Sequence, residues 1–99
     1  MIKINGIRWR LVKVSPSNPA LRMPNDSLAL GCCDIDNHTI YIDKKLQDRE
    51  LKEVLTHEIT HAIIYSYGIE LTTKEEETIV SIISSHGTEI AKLVQKALN

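Results

Sequence analysis

An α+β fold, with a small antiparallel sheet of about four strands followed by two helices, is what the 99-residue sequence predicts. Three observations predict it. The first half interleaves β-forming apolar residues with turn residues, and the second half carries apolar residues at helical spacing between capping signals. The strands also precede the helices instead of alternating with them, which separates α+β from α/β. The length corresponds to one domain spanning residues 1–99, because domains run to roughly 100–150 residues. At 42% hydrophobic and 25% charged the composition is globular. With no Phe, and only Trp9, Tyr41, Tyr65 and Tyr67 as aromatics, the core must be aliphatic.

The elements follow in order. Ile2 to Val14 has strand character broken by Asn5-Gly6, the strongest short hairpin signal, so a short strand, a tight turn and a strand Ile7–Val14 are expected. Ser15 to Asp26 holds Pro16, Pro19 and Pro24 and reads as a loop with one helical turn near Ala20-Leu21. Leu28–Cys33 reads as a third strand. Asp34 to Asn37 turns the chain, and His38–Ile42 returns as a fourth strand with Ile40 and Ile42 on one face. Asp48 is an expected N-cap for a helix over Arg49–Tyr67, closed by Gly68 as the glycine after its last turn. Leu51, Val54, Leu55, Ile59, Ala62 and Ile63 give that helix a broad apolar stripe. Thr73 with Glu76 fits a capping box for a second helix reaching about Leu98, in which Gly87 is either tolerated or marks a kink.

Charge and composition exclude several functions. Twelve basic residues against thirteen acidic ones leave a formal charge of -1, which offers no field for a phosphate backbone, so no direct nucleic-acid binding is expected. No run of eighteen apolar residues occurs, so no membrane partner is expected. No signal-peptide-like apolar stretch follows Met1, and the adjacent Cys32 and Cys33 read as free thiols, so the expected location is cytoplasmic. A thiolate metal site would need a second Cys pair that the chain does not have.

The chemistry lies in His57-Glu58-Ile59-Thr60-His61. On a helix, residues i and i+4 share a face, so both imidazoles can reach one cation, while Glu58 beside them can take a proton from an attacking water. The metal expected is Zn2+, with His57 and His61 as ligands and Glu58 as the catalytic base. A hydrolytic zinc site needs a third protein ligand and an open position. Two helices joined by a short connector pack antiparallel, which brings the start of the second helix near His61, where Glu75, Glu76 and Glu77 stand. Successive residues point about 100° apart, so one of the three should face the metal. Glu77 ranks first, because Val80, Ser81 and Ser84 lie along its side of the helix. Glu76, claimed by the capping box, ranks second and Glu75 third. Acids in a first turn also complement the helix dipole without binding anything. Tyr65, one turn past His61, is a candidate oxyanion stabiliser, with packing as its alternative role. His86 is a candidate for the same role or for a ligand, with a structural histidine as the alternative. His38, at the start of the strand before the active helix, is a candidate to line the cleft or a solvated turn residue. That strand, if at an edge, would hold an extended substrate by strand addition.

The run Leu30-Gly31-Cys32-Cys33-Asp34, then Thr39-Ile40-Tyr41-Ile42, then Val54-Leu55-Thr56-His57-Glu58-Ile59-Thr60-His61-Ala62 and the acidic start of a last helix resembles small zinc metallopeptidase domains of the ImmA/IrrE type. It is similar in particular to compact phage and prophage versions and to minimal gluzincins. The resemblance covers about residues 28–90, and only the helix motif in it is specific. It implies a zincin-like fold and a hydrolase that cuts peptide bonds of a protein or peptide substrate. It also implies His57 and His61 as zinc ligands, Glu58 as general base and Glu77, with Val80, Ile83 and Ser84 in register, as third ligand. The alternative function is a catalytically weak or inactive zinc-binding interaction module, and a third reading is a metal-free structural domain.

Overall fold

The computed structural model describes residues 1–99. Four strands, β1 (Ile2–Ile4), β2 (Ile7–Val14), β3 (Gly31–Asp34) and β4 (Thr39–Asp43), precede two helices, α1 (Asp48–Ser66) and α2 (Thr73–Leu98). A single 3-10 turn at Pro19–Leu21 interrupts the Pro-rich segment, where one helical turn was expected. The architecture is α+β, as the sequence predicts.

The sheet is mixed, not antiparallel. Its order is β1-β2-β4-β3. β1 and β2 form the expected hairpin, turning through Asn5 (φ 48°) and Gly6 (φ 80°), the positive pair that a two-residue turn of matching twist needs. β3 and β4 form a second antiparallel hairpin, whose turn is held by the Asp34 carboxylate accepting from the Asn37 side chain at 2.8 Å. β2 and β4, however, run parallel, with Arg10 beside Thr39 through Val14 beside Asp43. The reason is burial. Within β4, Thr39, Ile40, Ile42 and Asp43 are all buried, so this strand takes the centre, where both faces and both edges are covered. The Pro-rich segment is long enough to carry the chain past that position, and β3 is laid down at the far edge first. The strand expected from Leu28 starts only at Gly31, because Leu28 bridges Arg22 and the Ala29 N–H donates to the Leu21 carbonyl at 2.8 Å.

The core lies between the sheet and α1. Trp9, Ile40, Ile42, Leu46 and Ala62 form its centre, with Leu51, Val54, Leu55 and Ile59 of α1 packed around them. Ile40 and Ile42, fully buried, each contribute about 1.5–3 kcal/mol by leaving water. Trp9, wholly buried, donates its indole N–H to Ser66 Oγ at 2.9 Å, and the Asn5 amide donates to the Ser66 carbonyl at 2.9 Å. The first hairpin is thereby pinned to the end of α1.

Both helix starts differ from expectation by one residue. α1 has Gln47 as N-cap, without a side-chain cap bond, and Asp48 is its first residue. It ends as expected, with Gly68 at φ 63° and the Ile69 N–H reaching the Ile64 carbonyl at 3.0 Å, a left-handed closure that suits a residue without Cβ. α2 is capped by Thr72, not Thr73. Thr72 Oγ1 accepts from the Glu75 N–H at 3.1 Å, and the Glu75 carboxylate accepts from the Thr72 N–H at 2.9 Å. Of two adjacent threonines, the earlier one completes the capping box, so Glu75 takes the role expected of Glu76 and Glu76 is released from it. α2 runs through Gly87 without interruption, and Val80 is its one buried residue. No helix is long and apolar enough to cross a membrane.

Candidate metal centre

α1 presents His57 and His61 one turn apart, their rings 5.1 Å centre to centre. The antiparallel start of α2 brings Glu77 to them. One donor atom from each of His57, His61 and Glu77 lies within 4.8 Å of the others, so the group could hold a metal ion. His61 Nε2 stands 3.4 Å from Glu77 Oε1. Two ligands at about 2.0–2.1 Å from a tetrahedral ion are separated by about 3.4 Å, so this pair is already at the spacing such an ion requires.

Glu76 takes the other side of the same imidazole. Its Oε2 is 2.5 Å from His61 Nδ1. A carboxylate there can accept from Nδ1–H, and the tautomer with its proton on Nδ1 leaves the Nε2 lone pair on the side of Glu77. The two acids thus have different placements, Glu77 in the donor group and Glu76 behind it. Glu75 is in neither, being bonded to Thr72. That backbone bond, with the Thr72 hydroxyl, holds the Glu75 carboxyl below its usual range.

The electrostatics favour donor forms. Burial, and then the proximity of His61, lower the His57 pKa against a smaller opposing pull from Glu77, so this imidazole is neutral, the form that binds metals. Glu58 is only 8% exposed. Burial pushes its carboxyl up to about 7, with His61 opposing and Glu77 reinforcing the shift. No protein donor bonds that carboxylate, which lines the cavity beside the histidines.

The wall opposite α1 comes from β3 and from the Pro-rich segment. Leu21, Met23, Leu30 and Gly31 line the cavity together with Val54 and Glu58. Gly31 permits this approach: a Cβ there would meet Val54 Cγ1 at 2.8 Å and Glu58 Cγ and Oε2 at 3.1 Å. A methyl group has room only if the Val54 and Glu58 side chains shift. Gly31→Ala is therefore expected to shift Glu58 by some tenths of an ångström and to lower any hydrolysis that depends on it by about tenfold or more, with metal binding at His57, His61 and Glu77 retained. Parallel metal analysis and rate measurement check this, and an unchanged rate would count against the placement of Glu58.

The remaining candidates lie elsewhere. Tyr65 packs edge-on to Trp9 at 6.0 Å and against His38 at 5.7 Å, while His38 lies 5.1 Å from Trp9. These three form an aromatic cluster by the end of α1, so Tyr65 has the packing role and neither it nor His38 reaches the cavity. His86 is exposed, with Nδ1 3.2 Å from Glu89, and is not among the cavity residues. The two cysteines are free, and Cys33, raised by burial and then by Glu58 to about 12, stays a thiol. Neither belongs to the donor group. Sequence reasoning missed two features, the bond of Glu76 to His61 and the close approach at Gly31. A glycine inside a strand is the one signal that pointed toward the second. Comparison of the chain with protein-family models, with curated proteins and with solved structures finds no match.

Proposed function

We propose that this chain is a zinc-dependent peptidase of the ImmA/IrrE type that hydrolyses peptide bonds of a protein or peptide substrate. The observation that carries the reading is the joint placement of His57, His61 and Glu77 around one point, with the buried Glu58 carboxyl, pushed up to about 7, beside them. A zinc ion held there supplies Lewis-acid polarisation of the scissile carbonyl and acidifies water to a pKa of about 7. Glu58 accepts the proton of the attacking water and delivers it to the leaving amine, a task suited to a group that titrates near neutrality. Glu76 fixes the His61 ring by accepting a hydrogen bond from its Nδ1–H.

The substrate edge is β3, not the expected β4, because β4 has strands on both sides. The Asp43 N–H donates to the Leu30 carbonyl at 3.0 Å, and the register then points the N–H and C=O groups of Gly31 and Cys33 away from β4. An extended peptide can pair with them and lie across the cavity mouth.

The test uses the full chain loaded with one equivalent of zinc, incubated with unfolded polypeptides and a peptide library, with products read by mass spectrometry. Cleavage that a chelator stops and added zinc restores is the expected result. A zinc-loaded chain that cuts nothing, or cleavage indifferent to the chelator, would overturn the proposal.

A further inference from the structure

α2 carries an apolar face that the rest of the chain leaves uncovered. Val80 alone is buried, and every residue from Thr88 to Asn99 is exposed. A quarter turn around the helix from Val80, the residues Ile79, Ile83, His86, Ile90, Leu93 and Ala97 recur at alternating spacings of four and three. That is the spacing of a coiled-coil seam, with His86 as its one polar position. Its distal part is open to water, with Ile90 at 50%, Leu93 at 59% and the flanking Val94 at 54% exposure. A single exposed apolar residue needs no explanation, but a continuous stripe of them does.

We propose that the C-terminal half of α2 pairs antiparallel with the same segment of a second copy of this chain. The register follows from side-chain size and charge. With Ile90 of one copy against Leu93 of the other, two-fold symmetry repeats that layer, and His86 falls opposite Ala97, a large polar ring against the smallest side chain of the seam. On one flank Val94 meets Gly87, which has no side chain and stands at the groove that Asp48, Arg49 and Lys52 of α1 line with it. On the other Glu89 meets Lys96, twice by symmetry. Sliding one copy by a heptad sets Glu89 against Glu89 and asks for contact at Val80, which α1 already covers. A parallel pair sets Glu89 against Val94 and leaves Lys96 without an opposite charge. Of these arrangements only the first sets Glu89, which within the chain lies 3.2 Å from His86, opposite a lysine of the other copy. The overlap, His86 to Ala97 of each copy, is short, so the dimer belongs with the weak interfaces that bury under about 1,200 Å² in total.

Sedimentation equilibrium of the full chain from about 1 to about 500 µM tests this. The expected result is a rise toward twice the 11.2 kDa monomer mass. Leu93→Glu is expected to raise the dissociation constant at least about a hundredfold, with unchanged helix content by circular dichroism because Leu93 is exposed. Glu89→Lys and Lys96→Glu are each expected to weaken the dimer about tenfold, and the double reversal to restore it. A chain that stays monomeric throughout, a dimer indifferent to Leu93→Glu, or a double reversal weaker than either single one would each overturn the proposal. None of these readouts depends on zinc or hydrolysis.

Discussion

Glu58→Gln is expected to lower peptide hydrolysis by at least about a thousandfold while leaving zinc stoichiometry at one. The amide keeps the shape and volume of the carboxyl but cannot accept the proton of the attacking water. The same substitution has a second expected result, in the metal-free chain and with the opposite benefit. Burial raises the folded pKa of Glu58 to about 7 from a reference of 4.5. Between those two values the folded state holds a proton that the unfolded state has released. Stability contributed by this group is therefore fully present below about pH 4.5 and declines as pH rises through about 7. Gln carries no charge to desolvate, so metal-free Glu58→Gln should resist urea better than wild type at pH 8, by about 3 kcal/mol. The difference should vanish near pH 4. A gain in stability with a loss of hydrolysis is the mark of a group kept at a cost for its chemistry. Hydrolysis at the wild-type rate, or identical urea midpoints at pH 8, would contradict this account of Glu58.

Glu77→Gln and Glu76→Gln should separate two adjacent acids by the size of their effects on zinc affinity. Glu77 offers its carboxylate oxygen 3.4 Å from His61 Nε2, inside the donor group. Replacing it removes an anionic ligand, and affinity should fall by about a thousandfold or more. Glu76 holds His61 from behind, through Nδ1. Replacing it leaves three donors in place but loosens the ring and makes it a poorer donor, for which about 10–100-fold is the usual range. Competition against a chromophoric chelator measures both. The reverse ranking would make Glu76 the ligand. Both positions are at least partly solvent-facing, with side-chain exposures of 26% for Glu76 and 55% for Glu77, so neither change should unfold the chain.

Much of the local structure was legible in the sequence, because it depends on neighbours close along the chain. Asn5-Gly6 fixes a hairpin wherever it stands between β-formers. Gly68 closes α1 by its own left-handed backbone. His57 and His61 share a face because four residues make about one helical turn. The short connector between the helices returns Glu77 to His61 for the same kind of reason. The capping box was legible only as a pattern. Thr72 and Thr73 are both competent caps, and the choice between them moved Glu76 from the cap to the back of His61.

By itself, then, the sequence determined the α+β class, the succession of elements and the helical face that gathers two histidines and a carboxylate, all of which follow from spacing and local backbone preference. Tertiary structure alone decided the rest. It put β4 in the centre of the sheet, parallel to β2, because that strand is buried throughout, and so made β3 the free edge. It turned Tyr65 and His38 toward Trp9, the one large ring in an aliphatic core. It assigned Glu76 and Glu77 to opposite nitrogens of His61, and it brought Gly31 against Glu58. Each of these is a choice among partners distant in sequence, made by which surfaces leave water together, and the alternation of apolar and polar residues along one strand or helix does not encode which distant surface it will meet.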